Sequence, residues 1–145
     1  MRAKIGERII ISNQIEQYLC EITEIEKKYV SFIKVMAITD NNELPFLIDL
    51  YQGYPKGDKL DDIIKHQTEL GINNIYAVIT KRSLFKLDET KWASKLIRFN
   101  KIAKEAAEQS NRQRVPMVCD IVKLDKINFD DYDLKLVCYE ESAKN

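Results

Sequence analysis

The stretch FLIDLYQGYPKGDKLDDIIKHQTELGINNIYAVIT, residues 46–80, decides the fold. An apolar β-type run, Phe46–Gln52, opens it, and a second one, Asn74–Thr80, closes it. The turn Gly53–Gly57, with two glycines and a proline, ends the first run. A strand, a helix and a strand over this length predict a βαβ unit whose two strands lie parallel.

The segment between the two strands has the pattern of a helix with one apolar face. Asp58 is expected to cap its start by accepting hydrogen bonds from first-turn N–H groups. Gly71 is expected to end it in a left-handed conformation. Residues at helical spacing form the predicted buried face: Leu60, Ile63, Ile64, Gln67 and Leu70.

Towards the C-terminus, helical and β-type patterns alternate. A loop over Lys81–Thr90 leads into a long helix, Lys91–Ser110, and Leu134–Tyr139 is predicted as the last strand. Alternating β and α elements predict a parallel α/β sheet. The long helix carries two neighbouring stripes, a buried one of Trp92, Leu96, Phe99, Ala103 and Ala106 and a basic one of Lys91, Lys95, Arg98 and Lys101.

Towards the N-terminus, the pattern is β-type throughout. The runs Glu7–Asn13, Gln17–Ile25 and Tyr29–Ile38 are rich in β-branched and aromatic residues and are separated by short polar turns. Three antiparallel strands at this spacing indicate a meander or part of a small barrel. The polar segment Asp40–Pro45 then marks a boundary.

Composition excludes several classes of protein. Of the 145 residues, 45% are hydrophobic and 32% charged, so a packed core is expected. Cys20, Cys119 and Cys138 have no CxxC spacing and His66 is the single histidine, so we expect no metal site and three reduced, mostly buried thiols. No apolar run reaches the ~20 residues of a membrane span, and no signal peptide opens the chain. A cytoplasmic protein is therefore expected.

Charge is distributed unevenly although the totals balance at 23 basic and 23 acidic residues. Residues 81–114 carry ten basic and four acidic side chains, a net charge of +6. The ordinary interpretation is a solvated helix face, and the functional one is a patch that faces nucleic-acid phosphates. Ligands of parallel sheets bind beyond the carboxyl ends of the strands. The segments expected at that edge are Gly53–Lys59, Lys81–Leu87 and Glu140–Ser142.

Five local motifs follow one another in a specific order. They are QGYPKGDK at 52–59, TELG at 68–71, KRSLFKL at 81–87, KIAKEAAEQSNRQR at 101–114 with Pro116, and YEES at 139–142. Together they resemble the RsmE family, whose members methylate N3 of a uridine in 16S ribosomal RNA. TELG alone has no value as a signature, whereas five motifs in register over nearly all of residues 46–142 are specific.

The resemblance implies a fold, a cofactor and partners. It implies a partial PUA-like antiparallel β-barrel at 1–40, followed by an α/β, SPOUT-type methyltransferase domain with a parallel sheet at 46–145. S-adenosylmethionine would be the methyl donor, the small ribosomal subunit the substrate, and a homodimer the assembly. The start of the barrel would precede residue 1, and the glycine-rich GPEGG loop of the donor-binding knot would follow residue 145. Residues 1–145 alone are therefore expected to be an inactive fragment that shows no measurable binding of the donor and dimerises weakly or aberrantly.

Candidate site residues follow from the charge pattern and the resemblance together. The expected RNA contacts are Lys56, Lys59, Arg82, Lys86, Gln109, Arg112 and Arg114. Each has a structural alternative, such as a solubilising turn for the lysines or a helix-end cation for Arg112 and Arg114. By resemblance, Tyr139, Glu140 and Glu141 border the donor pocket. No residue is assigned as the catalytic base, and a noncatalytic RNA-binding module remains the alternative function.

Overall fold

Two sheets and two helices make up the protein in the computed structural model, which describes residues 3–40, 42–81, 83 and 89–138. The first sheet is antiparallel and consists of β1 (Arg8–Ser12), β2 (Gln17–Ile25) and β3 (Val30–Ile38), in that order. All three predicted strands are confirmed. Cys20 and Ile22 on the central strand are buried, because they alternate on the side that packs inward.

The second sheet is parallel, as predicted. Strand β4 (Asp49–Gly53) pairs with β5 (Asn74–Ile79) over its whole length. On the other side of β5, the short strands β6 (Met117–Val118) and β7 (Val122–Lys123) pair with its beginning and its end. A single 3₁₀ turn over Leu124–Lys126 follows β7.

Helices α1 (Lys59–Glu69) and α2 (Glu89–Gln109) contribute to a common core with the parallel sheet. The predicted buried stripe of α2 is confirmed, with Trp92, Phe99, Ala103 and Ala106 buried and Leu96 half-buried. The remaining core residues come from α1, β5 and β6, and include Leu60, Ile64, Ile75, Ala77 and Val118. Neither helix is long and apolar enough to cross a membrane.

The C-terminal end of α1 is capped as predicted, whereas its N-terminal end is not. Gly71 has φ +99, its N–H donates to the Thr68 carbonyl, and the N–H of Ile72 donates to the Gln67 carbonyl. These two bonds form a Schellman motif, so the predicted left-handed cap is confirmed. At the start, the side chain of Asp58 makes no capping hydrogen bond, and that prediction is wrong. Leu70 is also wrong as a face residue, since it is 69% exposed beyond the last turn.

Two strand predictions need correction. Strand β4 begins at Asp49 rather than Phe46, because the segment before it has no strand beside it and Phe46 and Leu47 are exposed. Leu134–Cys138 form no strand, since the place beside β5 is taken by β6 and β7 and Leu134 and Leu136 lie exposed. Tyr139, the predicted end of that strand, lies outside the described residues.

The sheet face opposite the helices carries an aromatic cluster. Tyr51 and Tyr76, which are paired in the β4–β5 register, stack with centroids 4.5 Å apart. The Tyr132 hydroxyl lies 2.9 Å from that of Tyr51 and donates to the Asp49 carboxylate at 2.8 Å. Burial and these hydrogen bonds raise the pKa of Tyr132 well above its ordinary value. The segment after β7 is thereby fixed to the sheet.

Of the three thiols, Cys20 is buried, Cys119 is half-buried and Cys138 is exposed. The prediction of mostly buried cysteines is therefore wrong for Cys138, which follows the exposed segment that was mistaken for a strand.

Candidate nucleic-acid interface

The carboxyl ends of the parallel strands bring three segments to one edge. Gly53 pairs with Val78, and the Tyr54 N–H donates to the Val78 carbonyl at 2.9 Å, so β4 and β5 end together. Because Ile79 pairs with Lys123, the turn after β7 lies at the same edge. This turn, Leu124–Lys126, occupies the position expected for Glu140–Ser142, which lie outside the described residues.

The loop after β4 is attached to the basic stripe of α2. The Lys95 ammonium donates to the Tyr54 hydroxyl at 2.8 Å, and Arg98 pairs with Asp61 at 3.0 Å. Tyr54 also lies edge-on against Trp92, with ring centroids 6.1 Å apart. These contacts join the start of α1 to the first turns of α2. We call the resulting surface the edge surface and define it as Lys56, Lys59, Lys91, Lys95 and Arg98.

At the start of α1, the edge surface carries Lys56 and Lys59 beside the acidic residues Asp58, Asp61 and Asp62. Lys56 and Lys59 are exposed and form no ion pair with any residue that the structure describes. By contrast, Lys101 lies 3.7 Å from Glu105, one helical turn away on α2. Exposed pairs of this kind add little stability, but they reduce the local positive potential. An anion approaching from solvent can therefore meet Lys56 and Lys59 without breaking an ion pair among the described residues, and the first-turn N–H groups of α1 lie beside them.

Two of the remaining expected RNA contacts, Gln109 and Arg114, do not lie together with Lys56 and Lys59. Gln109 and Arg114 are exposed at the opposite end of α2 from Lys95, about 20 Å away at 1.5 Å per residue. Arg82 and Lys86, which were predicted for the edge, lie outside the described residues, as do Tyr139, Glu140 and Glu141. Their roles stay predictions.

Arg112 is buried and bonded to protein groups on several sides. Its guanidinium donates to the carbonyls of Thr68 and Ile72 at 3.2 and 2.8 Å and pairs with the Glu43 carboxylate at 2.5 Å. The side chains of Arg112 and Glu43 are only 6% and 4% exposed. A phosphate could reach this guanidinium only by displacing those partners. The geometry therefore gives Arg112 a structural role, and its direct contact with RNA stays a prediction that this geometry does not favour.

The environment of the Glu43 carboxylate changes its pKa. Burial acts to raise its pKa, but the hydrogen bond from Arg112, the backbone N–H groups of Arg114 and Gln113 and the positive charge of Arg112 outweigh burial. The net result is a pKa below the ordinary value of 4.5. The ion pair fixes the segment after β3 to the ends of both helices. It is the contact that the sequence did not reveal, since the two residues are 69 positions apart.

Gly53 leaves the backbone open at the end of β4. It lacks the positive φ that would require glycine, and a Cβ built on it would meet no atom within 4 Å. Neither backbone strain nor internal packing therefore explains a glycine here. Close approach of a ligand to the backbone would explain the glycine, because a side chain at this position would occupy the space that the ligand needs.

Tyr54 also lies at this edge, although it was not among the site residues predicted from the sequence. It lies inside the QGYPKGDK motif, and the signal that identifies it is a single aromatic residue in an otherwise polar turn. Its hydroxyl positions the Lys95 ammonium, which also lies 5.5 Å from the centroid of its ring.

Comparisons with known proteins agree with this architecture. The family model described as the RNA methyltransferase domain matches residues 42–145. The ribosomal RNA small subunit methyltransferase E of Bacillus subtilis is 40% identical over 99% of this chain and 57% of its own length. Methyltransferase E 2 of Borreliella burgdorferi is 31% identical over 81% of this chain and 48% of its own length. The chain thus spans about half the length of the curated relatives it matches.

Solved structures give the same assignment. One crystal structure of a hypothetical protein has a TM-score of 0.84 and 40% identity, with 87% of this chain and 52% of that chain covered. The ribosomal RNA small subunit methyltransferase E of Neisseria gonorrhoeae, solved with S-adenosylmethionine bound, has a TM-score of 0.76 and 31% identity. That match covers 88% of this chain and 55% of that one. The order of motifs, the parallel sheet and these matches show that the chain belongs to the RsmE family.

Proposed function

We propose that this chain is the RNA-contacting part of a homodimeric, S-adenosylmethionine-dependent enzyme that methylates N3 of a uridine in 16S ribosomal RNA of the small subunit. The observation that carries the RNA contact is the pair of exposed, unpaired lysines, Lys56 and Lys59, at the carboxyl edge of the parallel sheet. Ligands of open α/β sheets bind at that edge. The relatives from Bacillus subtilis and Borreliella burgdorferi are ribosomal RNA small subunit methyltransferases, which supports the reaction class and the ribosomal substrate.

The chemistry requires placement more than binding strength. N3 of uridine carries a weakly acidic proton, so methyl transfer needs removal of that proton or stabilisation of negative charge on the base, and an in-line approach. Lys56 and Lys59 hold the RNA backbone by its phosphates and so fix the position of the nucleotide above the strand ends. Tyr54 and Lys95 hold the loop that carries Lys56 and leads into Lys59 at the start of α1.

S-adenosylmethionine would supply the methyl group. Tyr139, Glu140 and Glu141 are proposed to border the donor pocket.

Replacing Lys56 and Lys59 together with alanine is expected to weaken binding of a small-subunit rRNA fragment about tenfold. The salt slope should also fall by about one unit for each phosphate that is no longer bound. The measurement is a titration of the labelled fragment at several salt concentrations. The matched control is the pair Lys65→Ala and Lys101→Ala, which removes the same charge from later turns of the two helices. Equal slopes for both double variants and the wild type would contradict the proposed contact.

The polypeptide of residues 1–145 on its own is expected to show no measurable binding of S-adenosylmethionine. Its sequence contains no glycine-rich turn of the kind whose backbone N–H groups approach such a ligand closely. Isothermal titration checks this, with the Neisseria gonorrhoeae relative, which holds the donor in its crystal structure, as positive control. A micromolar dissociation constant would show that residues assigned elsewhere form the donor site.

A further inference from the structure

A cleft of about 740 Å³ lies between the antiparallel sheet and the C-terminal end of α2, away from the edge surface. Its walls come from β1, the start of β2, the end of β3, the last turns of α2 and the loop that follows α2. Small-molecule and base-sized ligands occupy clefts of roughly 300–1,000 Å³, often where two units of structure meet. The cleft therefore has the size and the location of a binding site.

Side-chain amides are concentrated around this cleft. Gln14, Gln17, Asn42 and Asn111 line it, and none of their amide groups bonds to a residue within the described ranges. The amide of Gln113, by contrast, donates to the Ile15 carbonyl and serves the structure. An amide offers a donor and an acceptor side by side, which matches the edge of a nucleobase.

Backbone conformation singles out two of these residues. Gln14 and Asn111 are the non-glycine residues with positive φ, +71 and +54, in the part of the chain that the structure describes. Asn111 follows the end of α2, where asparagine is common in this conformation. Glutamine has no such preference, and a left-handed residue other than glycine costs about 1 kcal/mol or more. Both residues lie on the same cleft, and backbone strain of the kind found at Gln14 is frequent at ligand sites.

The other lining groups favour a base over a phosphate. Asp40 and Glu108 place two carboxylates there, and Glu108 compensates Lys104 at 3.7 Å. Arg112 also lines the cleft, and its buried Nε has no hydrogen-bond acceptor among the described residues. Apolar contacts come from Ile10, Ile38 and Val115. A planar, uncharged ligand with carbonyl acceptors and N–H donors meets these groups better than an anion does.

We propose that this cleft holds an unpaired base of the bound RNA, with Gln14, Gln17, Asn42 and Asn111 bonding to its edge. This inference rests on the proposed function, since the base belongs to the RNA that the edge surface binds. A base extruded from a loop is how proteins obtain sequence information from RNA, whose helical major groove is too narrow to enter.

The test uses the full 145-residue chain and an eight-nucleotide single-stranded RNA, oligouridylate, with a second version that lacks one central base. Gln14→Gly combined with Asn111→Gly removes two amides at positions where glycine relieves backbone strain, so folding should be preserved and is checked by thermal melting. The expected result is about tenfold weaker binding of the intact RNA, with an unchanged salt slope. Wild type and variant should bind the abasic RNA equally. Gln67→Ala, which removes an amide outside the cleft, is the control and should have no effect.

A photo-crosslink with 4-thiouridine in the same oligonucleotide provides a second measurement and should label the peptide containing Gln14 or Asn111. Unchanged affinity of the double variant together with crosslinks only near Lys56 and Lys59 would overturn the cleft proposal and leave the proposed function intact. Oligoadenylate bound as strongly as oligouridylate would still support a base site, without preference for uracil. Failure of all variants, including Lys56→Ala with Lys59→Ala, to alter RNA binding would overturn both proposals.

Discussion

Replacing Arg112 with methionine is expected to lower the free energy of unfolding by about 3–5 kcal/mol, the cost of leaving one member of a buried ion pair without its partner. The Glu43 side chain is 4% exposed, so water cannot replace the missing guanidinium. The carbonyl of Ile72 loses the Arg112 donor at the same time, and that of Thr68 keeps the Gly71 N–H. Urea denaturation of wild type and variant, followed by circular dichroism, measures the difference.

A second substitution, at Glu43, tests whether the loss of stability comes from the unpaired carboxylate. Adding Glu43→Leu to Arg112→Met removes the unpaired charge, and this double variant should be more stable than Arg112→Met alone. The pKa of Glu43 is lowered in the folded state, so its stabilising contribution is complete above about pH 4.5 and is lost as the pH falls through the folded value. Wild-type stability should therefore fall at acidic pH more steeply than that of the double variant. A change below about 1 kcal/mol in Arg112→Met would show that the guanidinium is not essential to the fold and would make it available to RNA.

Local signals explain which parts of the fold could be predicted. The bounds of β2 and the left-handed Gly71 follow from neighbouring residues, because β-branched alternation and a helix-ending glycine act over a few positions. The apolar run Leu134–Tyr139 carries the same local signal, yet Leu134–Cys138 form no strand, since a strand also needs an unoccupied neighbour in the sheet. The beginning and the end of β5 are instead paired by β6 and β7, two residues each, which are too short for periodicity to detect.

The candidate site likewise contains residues whose place local sequence predicts and residues that only the packing of the fold brings together. Lys56 and Lys59 belong to a contiguous motif that follows a strand, so their place at the carboxyl edge was predictable. The pair Tyr54–Lys95 joins residues 41 positions apart, and only the packing of α1 and α2 on the sheet brings them together. The net charge of +6 for residues 81–114 also overstates the positive charge at the surface. It includes Arg112, whose charge is neutralised inside the protein.

The last prediction separates folding from binding with two glycines. Gly71→Ala is expected to destabilise the protein by about 1–3 kcal/mol, because alanine is strained at left-handed φ and its methyl would meet Leu44. At this position φ is +99, and a Cβ would lie 3.0 Å from the Leu44 Cδ1. Gly53→Ala should keep or slightly raise stability, by up to about 1 kcal/mol, since the unfolded chain loses freedom and the folded one gains no clash.

For RNA binding, Gly53→Ala should have the larger effect and Gly71→Ala the smaller one. If the open backbone at Gly53 is where RNA approaches, its alanine variant should bind the small-subunit rRNA fragment about fivefold or more weakly, the cost of overfilling a close contact. Folded Gly71→Ala should bind with wild-type affinity at a temperature well below its own melting transition, because Gly71 ends α1 on the side away from Lys56 and Lys59. Thermal melting and RNA titration on the same preparations give both quantities. Wild-type affinity in Gly53→Ala would mean that RNA does not approach the end of β4 closely and would place the RNA contact on the lysines alone.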